Sequence, residues 1–440
     1  MAGGIFASTN KVRPGAYINF KSVPKPMSSV GNRGIATMPV VLGWRGNDEI
    51  IPVYSTDLSD GKCLDKIGYY GYENEIQPIR EALKNCYLVL LYKINSKGSK
   101  ANATLGNLVA TAKYDGVIGN NLSVVIKEVE EDFEVITYLY GKEKDRQIGK
   151  TVGDIENNDW IDFTGEGALA ANAGALLEGG ANGSIEEGSY SKYLELVKSK
   201  VWNTMGVPTA SETRIKQSVV TFIKELREQK GKKVQAVLKD FAQADYEGII
   251  SVDQGYKTSD EEITPESFVA YVAGLTAGAD INKSNTYSVI NGAVQIINPK
   301  TDDELEQALI AGKMVLSYRQ DESVVIESDI NTFTSVNANK GKEFKKNRVI
   351  RTLDDINNSI KSTFENKYIG KVDNNASGRN IFKADILSYL KELNRMGAIR
   401  EVDPEDIVIS EGNDIDSVVV DLGVQPVDAM EKLYMTVIVG

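Results

Sequence analysis

The run Leu433-Tyr434-Met435-Thr436-Val437-Ile438-Val439, close to the C-terminus, most limits how this chain folds. It is rich in β-branched and aromatic residues and contains no turn residue, so it reads as a β-strand. A strand must hydrogen-bond to something, because an unpaired edge invites association with another chain. Near the N-terminus, Pro14-Gly15-Ala16-Tyr17-Ile18-Asn19-Phe20-Lys21 is also strand-like, with Ala16, Ile18 and Phe20 on one face. A strand at each end, with flexible sequence beside it, suits a protein that joins copies of itself. The expected joining segments are 14–21, through Tyr17, Ile18 and Phe20, and 417–440, through Val418, Val420, Leu433, Met435, Val437 and Val439.

Charge separates the two ends. Residues 1–34 carry Lys11, Arg13, Lys21, Lys25 and Arg33 and no carboxylate. Residues 411–440 carry Glu411, Asp414, Asp416, Asp421, Asp428 and Glu431 against Lys432. Opposite charge favours encounter and register between partners. Solvated, charged termini account for the same pattern.

Composition excludes several function classes. At 440 residues, the chain suggests two to four domains, and 42% hydrophobic with 25% charged residues is an ordinary globular balance. A net charge of −12 argues against nucleic-acid binding over the whole surface. The first ten residues lack the apolar core of a signal peptide, and no apolar run approaches the roughly 20 residues of a membrane helix. There is no histidine, which removes Ser-His-Asp and Cys-His catalysis, most catalytic zinc sites and the usual switch near neutral pH. Cys63 and Cys86 form no Cys-x-x-Cys pair. Both are expected to be reduced, with Cys86 in the core. Neither a cofactor nor a metal site is expected.

Along the chain, residues 22–34 are Ser-, Pro- and Gly-rich and read as a linker. A strand over 35–42 follows, pushed towards a sheet edge by Pro39. The spacing predicts a helix over 75–84 and a buried strand over 86–94. Residues 97–179 change to short alternating strands, a small barrel or sandwich, closed by a Gly-rich hinge at Gly179-Gly180-Ala181-Asn182-Gly183. From 184 to 335 helices and strands alternate: helix 211–229, strands 234–239 and 248–252, a helix from Thr264 capped as Thr-Pro-Glu, helix 302–311 and strand 314–318. Helices at 353–364 and 381–396 follow. The fold class is thus a multidomain α/β protein: an α/β layered domain (35–96 and 180–335), an inserted β-rich domain (97–179), and an α+β C-terminal domain (336–440). An arm and linker (1–34) precede them, and both ends extend as strand arms.

Candidate chemistry is sparse. Gly116-Val117-Ile118-Gly119-Asn120 lacks the strand-to-helix context of a nucleotide fingerprint and reads as a turn. Ala311-Gly312-Lys313-Met314 lacks the first glycine and the Ser/Thr of a P-loop. Asp260-Glu261-Glu262, Asp302-Asp303-Glu304 and Asp354-Asp355 sit at expected helix starts, where the helix dipole explains them. Lys340, Lys342, Lys345, Lys346, Arg348 and Arg351 cluster around the single Glu343. Nucleic acid, an acidic protein surface and a solvated basic face all remain open there.

Taken in order, the motifs resemble those of contractile phage tail sheath proteins. Asp428 to Val437 resembles the closing strand of that family. Phe268-Val269-Ala270-Tyr271-Val272-Ala273-Gly274-Leu275-Thr276-Ala277-Gly278 and Asn282 to Tyr287 resemble its central helix and following loop. Pro14 to Tyr17 resembles its N-terminal arm, and Gly179 to Gly183 its hinge. The short length is similar to sheaths of Gram-positive phages and R-type tail-like bacteriocins. The resemblance implies a non-enzymatic subunit that polymerises, as stacked hexameric rings, around an inner tail tube and contracts to drive the tube through a target envelope. It implies arms that add strands to neighbouring C-terminal domains, a tube-proximal C-terminal domain, and baseplate and terminator proteins as further partners. On that picture the basic cluster from Lys340 to Arg351 would face an acidic tube, with no nucleic acid and no membrane insertion. Assembly would occur in the host cytoplasm, ending in a virion or a released tail-like particle. The alternatives are the sheath of another injection or secretion system and, from the α/β layer alone, a hydrolase-like enzyme.

Overall fold

A computed structural model describes residues 33–46, 48–59 and 61–439, and the backbone of the short strands Ala2–Gly4 and Gly15–Tyr17, which pair in parallel. These residues form two compact units. One comprises Asn32–Asn358 with Pro426–Gly440, and the other is built on Ser359–Gln425. The division falls inside the helix Asn347–Thr363.

The first unit is organised by a six-stranded sheet. Its order is Ile249–Val252, Gln235–Lys239, Thr204–Gly206, Ile35–Val40, Leu88–Lys93 and Ile51–Tyr54. All neighbours are parallel except the last pair. Parallel strands need cover on both faces. The helices Gln77–Leu83 and Pro265–Gly278 contribute Ile79, Ala82, Ala270 and Ala277 to the core with Ala36, Met38, Val89 and Leu91. The helices Ser189–Lys198 and Thr213–Lys224 contribute Tyr193, Val197, Val220 and Ile223 to a second core with Tyr92, Met205, Ala236 and Leu238.

The strand carrying Pro39 lies inside this sheet, not at its edge. Ile35 O accepts from Asn203 N, and Val40 O accepts from Ile94 N. Odd positions therefore face Thr204–Gly206 and even positions face Leu88–Lys93. The ladder to Thr204–Gly206 stops at Thr37, so the donor that Pro39 lacks falls beyond its last rung. Ile51–Tyr54, at one edge of the sheet, does carry a proline, Pro52.

Residues 102–176 fold as two antiparallel sheets. Four strands run in the order Lys142–Gly149, Asp132–Leu139, Leu122–Val129, Asn172–Leu176, and three in the order Ile161–Gly165, Leu108–Ala112, Asn102–Leu105. The sheets share a core that includes Leu108, Ala110, Val124, Ile126, Val135 and Phe163. The segment enters and leaves through the pair Asn95–Ser96 and Ser184–Ile185. The glycine-rich stretch expected to be a hinge is a laced neck. Ala181 O accepts from Ser99 N at 3.0 Å, Asn182 Oδ1 from Val117 N at 3.1 Å, and Gly180 N donates to Asn120 Oδ1 at 2.8 Å. A Cβ at Gly183 would lie 1.8 Å from Ser96 O, so glycine serves close approach here.

Two acidic expectations change. Thr301 and Glu304 form the capping box that starts Asp302–Ile310, as the dipole reading requires. Asp354, however, lies within Asn347–Thr363, where the nearly buried Arg227 donates to both its oxygens at 2.6 and 2.8 Å. Glu261 pairs with Arg80 at 2.5 Å in a turn ahead of the strand Glu262–Ile263. These carboxylates answer specific cations rather than a helix terminus.

In the second unit, the helix Ala376–Arg395 starts on an Asn375 cap to Gly378 N at 2.9 Å. It packs Phe382, Ile386, Tyr389, Leu390 and Leu393 into the interior. A hairpin of Ile407–Glu411 and Val418–Leu422 completes the unit.

Candidate assembly site

The residues after the hairpin do not behave as one strand. Val418 and Val420, expected in the same arm as the C-terminal run, are half-buried and paired with Glu411 and Ile409 of their own chain. Residues 427–439 carry no regular secondary structure. Leu433 is 83% exposed, Met435 73%, Val437 69% and Val439 89%. An exposed apolar run without regular secondary structure is thus present in the single chain. Of the N-terminal candidates, Tyr17 ends the strand Gly15–Tyr17, while Ile18 and Phe20 lie outside the described residues.

The hairpin is the complementary feature. It is a two-stranded sheet with no third strand among the described residues. Beside it lies a groove of ≈ 640 Å³, lined among others by Phe364, Tyr368, Phe382, Arg379, Ile415 and Val418. Tyr368 and Phe382 are 4.6 Å apart at their ring centroids, and Tyr368 donates to Asp385 at 2.9 Å. The spacing of Phe364 and Tyr368, four apart on a helical turn, was the one sequence signal for this groove.

The basic cluster is mostly committed within the chain. Lys340 pairs with Glu247 at 2.7 Å. Lys345 donates to the carbonyls of Leu309 and Ile310, at the C-terminal end of the helix Asp302–Ile310, where a cation is favoured. Lys346 pairs with Glu431. Burial pushes Arg348 below its ordinary value, with Asp428 acting against it. Arg351 is 1% exposed and pairs with Asp329 at 2.8 Å, so it lies in the interior and presents no surface to a tube. Lys342 alone of the six is exposed. Within the chain, the acidic C-terminal segment meets this cluster through Asp428 and Glu431. Glu431 and its second partner, Thr286, both lie in segments that carried the family resemblance, but nothing in the sequence paired the two.

An exposed apolar run in one unit and a hairpin with an open edge in the other define a structural, polymer-forming protein. Comparison with known proteins agrees. Models of phage tail sheath proteins match three consecutive parts: the β-sandwich domain over residues 96–182, the central domain over 183–332 and the C-terminal domain over 339–440. The sheath tail protein of Desulfitobacterium hafniense is similar at a TM-score of 0.84 and 38% identity, over 96% of this chain and 99% of that one. The phage-like element PBSX protein XkdK of Bacillus subtilis (strain 168) is 33% identical over 99% of both chains. The helical sheath of the anti-feeding prophage in its contracted state shares the fold, with a TM-score of 0.57 at 12% identity over 97% of this chain and 98% of that one. The chain belongs to the phage tail sheath protein family and is a tail sheath subunit.

Proposed function

We propose that this subunit polymerises by strand exchange: residues 432–439 of one copy pair with the free edge of the hairpin 407–422 of another. The observation that carries this reading is the exposure of Leu433, Met435, Val437 and Val439, which would share one face if the segment were drawn out as a strand. Ordering a backbone residue costs about 1–2 kcal/mol, while a hydrogen bond returns about 0.5–1.5 kcal/mol net. Affinity must therefore come from side chains, at about 1.5–3 kcal/mol for each one well buried. The groove beside Val418 is the receiving surface for one of them. Repeating a modest junction through a lattice makes it strong. The N-terminal segment 14–21 acts as a second arm.

On this reading the copies stack as hexameric rings around an inner tube, bounded by baseplate and terminator proteins, and the arms stay joined while the bodies reorient on contraction. Lys342 is the remaining tube-facing candidate of the basic cluster, since Lys345 and Lys346 serve the chain itself. The subunit acts as a structural protein without catalysis. It assembles in the host cytoplasm and ends in a virion or tail-like particle.

The test is deletion of residues 432–440, with negative-stain electron microscopy of the purified chain with and without its tube protein. A chain with unchanged melting temperature that forms no ribbed cylinders is expected. Cylinders like those of the full chain would refute strand exchange by this tail.

A further inference from the structure

The tail leaves the body at one point. Met430 and each described residue after Glu431 are exposed, whereas the Glu431 side chain is 15% exposed. Both of its oxygens are used: Oε2 takes the Lys346 ammonium and Oε1 accepts from the Thr286 hydroxyl at 2.8 Å. Thr286 is itself oriented. Its oxygen accepts from Asp329 N at 2.9 Å and from the Ser284 hydroxyl at 3.1 Å, which leaves its own proton for Glu431. Asp329 is held in turn by Arg351 at 2.8 Å, Asn285 N at 2.9 Å and Asn347 at 2.9 Å, all buried. Hydrogen bonds thus run unbroken from the tail to a buried ion pair. Among the described residues from Met430 to Val439, Glu431 alone makes such a bond to the body.

We propose that Glu431, Lys346 and Thr286 form a clamp that fixes where the tail emerges and passes tension on the tail into the body. Glu431 is a positioning residue: it contributes nothing to the exchanged strand itself. Downstream of it, eight residues, Lys432–Val439, reach about 26 Å when extended at roughly 3.3 Å per residue. With the clamp closed, the root of that segment is fixed and the strand is presented ready to pair. With it open, the root wanders and the ordering must be done on binding. The sheath needs such a point, because a subunit pulled by its arm must transmit the pull to something rigid. The inference rests on the strand-exchange reading for its consequence, but not for its geometry.

The experiment compares the full chain with Glu431→Gln, Lys346→Met and the double variant that exchanges the two charges, Glu431→Lys with Lys346→Glu. Two quantities are read: cleavage of the tail by chymotrypsin after Tyr434, followed by mass spectrometry, and the lowest concentration that gives polymer by sedimentation. Each single variant should raise both about tenfold, the effect of losing one charge-assisted hydrogen bond, at an unchanged melting temperature. The charge exchange should restore both towards the full chain. Single variants indistinguishable from the full chain, or a charge exchange no better than the singles, would overturn the clamp. Deletion of 432–440 separates the two ideas. A deletion that abolishes polymer while Glu431→Gln behaves normally removes the clamp and keeps strand exchange. A deletion that polymerises normally while Glu431→Gln still speeds cleavage removes strand exchange and keeps the clamp as an anchor.

Discussion

Arg351 and Asp329 show how far a residue's surroundings decide its role. In sequence, Arg351 closes a basic cluster and looks like part of a surface. In the fold it is a buried cation with a buried carboxylate. Burial alone would raise the Asp329 carboxyl, but the Arg351 guanidinium and the bonds from Asn285 and Asn347 outweigh it and hold the carboxyl below its ordinary value. A carboxyl held lower in the folded than in the unfolded chain contributes stability that is complete above the unfolded value, about 3.9. That contribution is lost as pH falls through the folded value. Asp329→Asn should therefore cost about 3–5 kcal/mol at neutral pH, because it strands a buried guanidinium. The gap from the unaltered chain should narrow as pH drops below about 4. Urea midpoints taken from pH 6 to pH 2 would check this, and a gap independent of pH would count against it.

At the scale of elements, the helix Pro265–Gly278 was legible and its packing only half so. Thr264 caps it through Ser267 N, Pro265 sits at its first position, and its small residues suggested close approach. The partner could not be read, since the contact joins positions nearly 200 residues apart. It is the helix Gln77–Leu83 and the turn after it: a Cβ at Gly274 would stand 2.0 Å from Ala82 O, and one at Gly278 1.8 Å from Asn85 O. Backbone offers no flexible end to move aside. Gly274→Ala should destabilise the chain by about 1–3 kcal/mol or more, as overpacking does, despite the better helix propensity of alanine. Chemical denaturation would measure it. Unchanged stability would mean that the two helices can part. The strands Thr204–Gly206 and Ile51–Tyr54 went unseen for the converse reason: each is too short to show a period, and the sheet around them makes them strands.

For the whole molecule, the β-rich insertion is docked rather than tethered. Lys93, fully buried at the end of a sheet strand, pairs with Asp115 of the insertion at 2.6 Å and donates to Arg45 O at 3.0 Å. Trp44 stacks on Trp160 of the insertion at 5.5 Å. Burial pushes Lys93 below its ordinary value, and Asp115 works against that shift. Asp115→Ala should thus cost about 3 kcal/mol, the low end for a buried pair because Asp115 is partly exposed. It should lower the urea midpoint of the first unit as a whole. A loss confined to local exchange in the insertion would show that the two parts unfold separately.

Sequence by itself determined the layered α/β class, the β-rich insertion and the long helices, because each rests on local periodicity, capping or turn chemistry, whereas the strand read over Leu433–Val439 is without regular secondary structure in the single chain. The absence of histidine argued against common catalytic arrangements for the same kind of reason: it follows from composition, not from geometry. Tertiary structure alone decided which cations were free. It buried Arg351, spent Lys345 on a helix end and set Lys346 against Glu431, since a charge's role depends on partners dozens of residues away. It also decided that Val418 and Val420 pair within the chain while the run after Glu431 stays unpaired. Hydrogen-bond satisfaction belongs to the folded surroundings, and a strand's own residues say only that it needs a partner.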